Sequence, residues 1–220
     1  LKNQSKNDWL KKIHINFNNE DGQDAGGLTK EWLTIIVNEI FSQNLNLFTL
    51  KETNCYHPSS NIKINEENLD YFRFAGKIVA RALIQELYVN AHLTSSFRKQ
   101  ILKKNLVLKD LEDFDDDIYS SLKSLLENDA SESYLNFSIT NEEGKEIPLK
   151  ENGENIDVTN ENKEEYVNLF IDYKLRLSTI DQMKAFCDGF NWLIPHEEIC
   201  YFSQNELDLI IRGNSKIDVE

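Results

Sequence analysis

Residues 151–176, ENGENIDVTNENKEEYVNLFIDYKLR, decide how the rest of the chain is divided. The stretch opens on Asn152-Gly153, the strongest short-range turn signal, and passes two strand-forming residues, Ile156 and Val158. It then reaches Thr159 and Asn160, either of which can cap a helix because a short side-chain oxygen accepts a first-turn amide. Glu161, Glu164 and Glu165 follow, placing negative charge at the positive end of the helix dipole. Tyr166, Phe170, Tyr173 and Leu177 recur at spacings of four, three and four, which predicts a helix with one apolar stripe. Such a stripe is either core or a ridge that receives a partner, and periodicity alone does not separate the two.

Upstream, Leu135, Phe137 and Ile139 alternate with Tyr134, Asn136 and Ser138 as a strand would, Gly144 turns the chain, and Ile147 to Leu149 returns. Before them DLEDFDDD (110–117) leads into an amphipathic helix, Ile118 to Leu126, with Ile118, Leu122 and Leu125 near one line. The acids read as a solvated helix start. This small α+β unit lies between helical stretches that belong together. The expected fold class is therefore α+β: a mostly helical larger subdomain, 1–111 and 173–220, with a small inserted α+β subdomain at 112–172.

Ile13, Ile15 and Phe17 alternate as a strand, and EDGQDAGG (20–27) is a glycine-rich loop lacking the ligand pattern of a calcium loop. A helix from Leu28 buries Leu28, Trp32, Ile36 and Ile40, and an irregular connection turning at His57-Pro58-Ser59 reaches Asn65, a cap for a central helix Glu66 to Leu87. Gly76 inside that helix costs about 1 kcal/mol in propensity, which predicts a close helix crossing. Thr94 caps a helix bearing Phe97, Ile101 and Leu102; Ser178 and Asp181 start another with Ile180, Met183, Cys187 and Phe190 on its buried face. Pro195 opens a short turn of helix, and Ser203 with Glu206 caps a last helix that Gly213 stops, before what reads as the beginning of a linker, Asn214 to Glu220.

With 220 residues, 40% of them apolar, the chain can bury a real core. A net charge of −14 argues against nucleic acid and anionic membrane as partners, because its basic residues are interleaved with acids. Three cysteines in no paired spacing and no signal-peptide pattern fit a reducing compartment, cytoplasmic or nuclear. The sequence contains no phosphate-cradling loop, HExxH, GxSxG or paired-cysteine zinc pattern, so no cofactor, metal or catalytic residue is expected in it. Cys187 and Cys200 read as small core residues and Cys55 as a loop residue.

Five segments, GQDAGGLTKEW (22–32), YFRFAGKIVARAL (71–83), VTNENKEEYVNLFIDY (158–173), MKAFCDGFNWLIP (183–195) and ELDLIIRG (206–213), together resemble the amino-terminal lobe of the HECT family of ubiquitin ligases, in the family's order. The resemblance implies a lobe that docks a ubiquitin-charged conjugating enzyme. Ubiquitin would then pass to a cysteine in a separate carboxy-terminal lobe, in a threonine-cysteine-phenylalanine context absent from this sequence, and from there to substrate lysines. Conjugating enzyme and ubiquitin are thus the implied partners, and protein substrates would be chosen by regions outside this chain. The residues matching the family's docking groove are Ile118, Leu122, Leu135, Tyr166 and Phe170, so part of the aromatic stripe is expected at the surface; Tyr56 matches a loop that contacts ubiquitin noncovalently in some members. Two other readings stay open on the residues alone: an α+β enzyme using Cys55 or the Asp115 to Asp117 cluster, and a helical interaction scaffold.

Overall fold

The computed structural model describes residues 5–11, 15, 27–89, 91–131, 133–141 and 144–213. Within them run α1 (Lys6–Leu10), α2 (Gly27–Ile40), β1 (Phe48–Leu50), β2 (Tyr56–Pro58), α3 (Glu66–Ile84), α4 (Ser95–Ile101), α5 (Asp116–Glu127), β3 (Ser138–Thr140), β4 (Glu146–Pro148), α6 (Lys163–Leu175), α7 (Ile180–Leu193), α8 (His196–Ile199) and α9 (Gln204–Arg212). The chain is α+β and mostly helical, with two antiparallel hairpins, β1–β2 and β3–β4. The expected strand around Ile13 to Phe17 and most of the 20–27 loop lie outside the described residues.

The centre is the crossing of α3 and α7. A Cβ built on Gly76 would stand 2.0 Å from the Phe186 carbonyl oxygen, and one on Gly189 would stand 1.9 Å from that of Arg73. Each backbone therefore lies directly on the other, which is the close crossing that Gly76 predicted. Around it Phe72, Ile78, Val79, Phe97, Phe186 and Phe190 are fully buried in one apolar cluster, with α1 contributing Trp9 and α9 contributing Leu207 and Ile211. A second cluster gathers Leu111, Phe114, Leu122, Phe137, Val158, Tyr166, Val167, Ile171 and Leu175.

Local capping chemistry accounts for most helix starts. Asn65 accepts from the Asn68 amide at 2.8 Å, Thr94 from that of Phe97, and Ser203 and Glu206 form a reciprocal capping box. Several expectations shift. On α2 the buried residues are Thr29, Leu33, Val37 and Ile40, so the face is turned one position from Leu28, Trp32 and Ile36. The 41–66 connection contains the β1–β2 hairpin, closed by Lys51 N–H donating to the Cys55 carbonyl at 2.8 Å. Helix α6 starts only at Lys163: Asn160 is engaged with Ala130 and Asp129 instead of capping, and Asn162 closes the preceding turn by accepting from the Thr159 amide at 2.7 Å. Ser178 donates to the Lys174 carbonyl at 3.0 Å, so the expected capping pair with Asp181 does not form.

Candidate functional site

The docking candidates come from three elements around the second cluster. Asp115 caps α5 by accepting from the Ile118 amide at 3.0 Å, with Asp116 and Asp117 in its first turn, and this points Ile118 and Leu122 toward α6. Tyr166 meets Phe137 edge-on at 5.5 Å and lies 6.0 Å from Phe170. Ile118 and Phe170 are half-buried and packed on the cluster, whereas Leu122 and Tyr166 are members of it, 5% and 4% exposed.

Leu122 and Tyr166 are thus core rather than surface, and the stripe is corrected accordingly. The buried face of α6 is Val167, Ile171 and Leu175 with Tyr166 at its edge. Phe170 and Tyr173 stand at the margin, and Leu177 lies past the helix end, exposed in a 3-10 turn. Leu135 also departs from the expected alternation. The regular strand begins only at Ser138, so Leu135 is held by its carbonyl accepting from the Val158 amide at 2.8 Å while its side chain is 37% exposed. Beside it Tyr134, at φ +51°, is 96% exposed, an aromatic that the alternation pattern assigned merely to a strand's outer face. A large apolar residue inside the polar run SESYLN was its one signal. Tyr56 sits in β2, half-buried, its ring 5.0 Å from Phe41 and its backbone bonded to His92 and Thr94.

The reactive side chains are held quiet. Burial pushes the Cys55 thiol up, with the nearby Asp113 carboxylate acting in the same direction, and burial pushes Cys187 up to about 12. Neither is a thiolate nucleophile near neutral pH. Burial and the Lys51 ammonium lower His57 to about 3, and its Nδ1 lies 2.9 Å from Thr94 Oγ1. Asp116 and Asp117 belong to the first turn of α5. Among the described residues no group of three or more His, Cys, Asp or Glu could hold a metal, and no helix is long and apolar enough to cross a membrane.

Polar contacts join the two clusters around residues 95–113. Asp110, fully buried, accepts from Lys99 Nζ at 2.7 Å, Ser95 Oγ at 2.7 Å and the Val107 amide at 2.8 Å; Asp113 accepts from the Ser95 amide at 2.6 Å, and Thr53 donates to the Asp113 carbonyl at 2.5 Å. Gln100 Nε2 donates to the Leu175 carbonyl at 2.9 Å.

The described part of the chain is thus helical α+β, with thiols shifted upward by burial and half-exposed apolar side chains, Ile118 and Phe170, over a second core. The chain belongs to the HECT-domain (ubiquitin-transferase) family, which matches residues 34–220. It is 41% identical to the Neurospora crassa E3 ubiquitin-protein ligase TOM1-like over 95% of this chain and 5% of that protein. It is 39% identical to the Schizosaccharomyces pombe E3 ubiquitin-protein ligase pub1 over 99% of this chain and 29% of that protein, and 36% identical to ptr1 of the same organism over 95% and 7%. The chain thus spans less than a third of each of these relatives.

Proposed function

We propose that this chain is the amino-terminal lobe of a HECT ubiquitin ligase and that it docks a ubiquitin-charged conjugating enzyme, with 1–111 and 173–220 as its larger subdomain and 112–172 as the smaller. The observation carrying this reading is the pair of partly exposed apolar side chains, Ile118 and Phe170, packed over a core containing Leu122 and Tyr166, with Leu135 and Tyr134 exposed on the segment whose backbone bonds Val158 of that core, in a chain whose family transfers ubiquitin. Transient interfaces concentrate their energy in a few such anchors around a desolvated centre. In this reading Leu122 and Tyr166 set the shape of the surface from beneath, and Ile118, Leu135 and Phe170 touch the partner. Ubiquitin would leave the conjugating enzyme for a cysteine in a lobe outside this chain, and then pass to a substrate lysine. Tyr56, half-buried in β2, is proposed as a contact for a second, noncovalently held ubiquitin.

The test is Phe170→Ala. Loss of an anchor costs about 2 kcal/mol, so affinity for a conjugating enzyme is expected to fall about thirtyfold, measured by titration, with a cooperative thermal transition retained. Tyr166→Ala is expected instead to lower stability by about 3 to 5 kcal/mol, because it empties a buried site. Unchanged affinity in a well-folded Phe170→Ala variant would move the docking surface elsewhere.

A further inference from the structure

Past the carboxy end of α4, and between it, α6 and the first half of α7, the surface opens into a cleft of about 960 Å³. Its floor is apolar. Ile171 and Met183 are buried there, and Val107 and Ile180 are substantially exposed along its sides. The rim carries Lys103, Lys104, Arg176 and Lys184, and Asp172 is the one acid among the lining residues. In a chain with 38 acidic and 24 basic residues this is a local reversal of sign. Asp172 is already paired to Arg176 at 2.5 Å, and Lys104 donates to the Phe202 carbonyl. Lys103 and Lys184 make no ion pair among the described residues, and both side chains are exposed.

We infer that this cleft receives an acidic peptide segment of a partner protein, carrying at least one bulky apolar side chain for the floor. Charge and shape argue together. An apolar floor rewards burial of a side chain, at about 25 cal/mol per Å² removed from water, and the unpaired ammonium groups select carboxylates on either side. The volume is near the upper limit for sites that hold small molecules, and the cations come from three separate segments of chain rather than converging from one loop, which suits a linear occupant. Nucleic acid is disfavoured because the surrounding field of a −14 chain repels a polyanion beyond the rim. The cleft uses Ile171 and Asp172 of α6, a different face from Tyr166 and Phe170, so its occupant is additional to a conjugating enzyme docked there.

The experiment is a selection from a display library of short random peptides on the 220-residue protein, followed by anisotropy titration of the enriched peptides. Enriched sequences are expected to combine Asp or Glu with Leu, Phe, Ile or Met. Their affinity is expected to fall about tenfold or more in the K103E/K184E variant and to weaken as sodium chloride is raised, since exposed charges are screened within a Debye length of about 8 Å at physiological salt. The exposed pair K30E/K63E, away from the cleft, should leave affinity unchanged, and matching thermal transitions confirm that both variants fold. No enrichment, enrichment without acidic residues, or binding indifferent to K103E/K184E overturns the inference. So does displacement by inorganic tripolyphosphate as effective as by the peptide, which would mark a general anion patch.

Discussion

Asp110 is buried against α4 with Lys99, Ser95 and the Val107 amide all within 2.8 Å. A carboxylate in that position stands only because its charge is matched, and the converse follows for Lys99, whose ammonium is itself mostly buried. Asp110→Asn keeps the shape and removes the charge, so it is expected to destabilise the protein by about 3 kcal/mol in a denaturant titration. An unchanged midpoint would mean that Lys99 swings to water without cost. His57 makes a separate prediction. Its pKa of about 3 in the fold lies below the ordinary 6.5 that it recovers on unfolding. Between those values the unfolded chain binds the extra proton, so the contribution is complete above about pH 6.5 and declines as pH falls toward 3, by up to about 1.4 kcal/mol per unit. Asp8 and Asp129, lowered from 3.8 to about 2, act in the same direction at more acid pH, while burial raises Asp113 and opposes them, so it is the comparison with His57→Gln that assigns the change between pH 6.5 and 5. Thermal midpoints are expected to fall across that interval, and to fall less in His57→Gln.

At the scale of elements, the α3–α7 crossing is the tightest constraint in the molecule. Ala is a better helix former than Gly, by about 1 kcal/mol in an open helix. At Gly76 the gain is overridden, because the new methyl would sit 2.0 Å from a backbone oxygen that no rotamer change can move. Gly76→Ala is therefore expected to destabilise by about 3 kcal/mol or more, and a stabilised variant would show that the two helices separate easily. This crossing was legible because a costly residue in a helix centre demands a local reason. The caps at Asn65, Thr94 and Ser203 were legible for a similar one: each is satisfied within three residues of itself. What failed depended on distant groups. Asn160 is drawn away from α6 by Asp129, thirty-one positions earlier, and Ser178 finds a carbonyl of the preceding helix. The spacing of Tyr166, Phe170 and Tyr173 fitted a helix, but which side faced inward was fixed by the neighbours of Val167 and Ile171. The basic cleft was invisible for the same reason, since Lys103, Arg176 and Lys184 meet only when α4, α6 and α7 are assembled.

The whole molecule joins two apolar clusters through a polar seam at residues 95–113, and this arrangement bears on whether the chain can carry ubiquitin itself. Thioester formation requires a thiolate within reach of the conjugating enzyme's own thioester. Cys187, pushed up to about 12, is almost entirely protonated near neutral pH, and Cys55 is moved in the same direction by burial. Cys200 is half-buried and donates from Sγ to the Glu197 carbonyl at 3.6 Å. The isolated 220-residue protein is accordingly expected to bind a charged conjugating enzyme without acquiring ubiquitin on any of its three cysteines, seen on a non-reducing gel as the absence of a band that dithiothreitol removes. The same mixture read by anisotropy separates this outcome from mere failure to bind: complex formation without transfer is the signature of a docking lobe. A reducible band that disappears in Cys55→Ala would instead make this chain an acceptor in its own right, and would return Cys55 to the catalytic role that its raised pKa argues against.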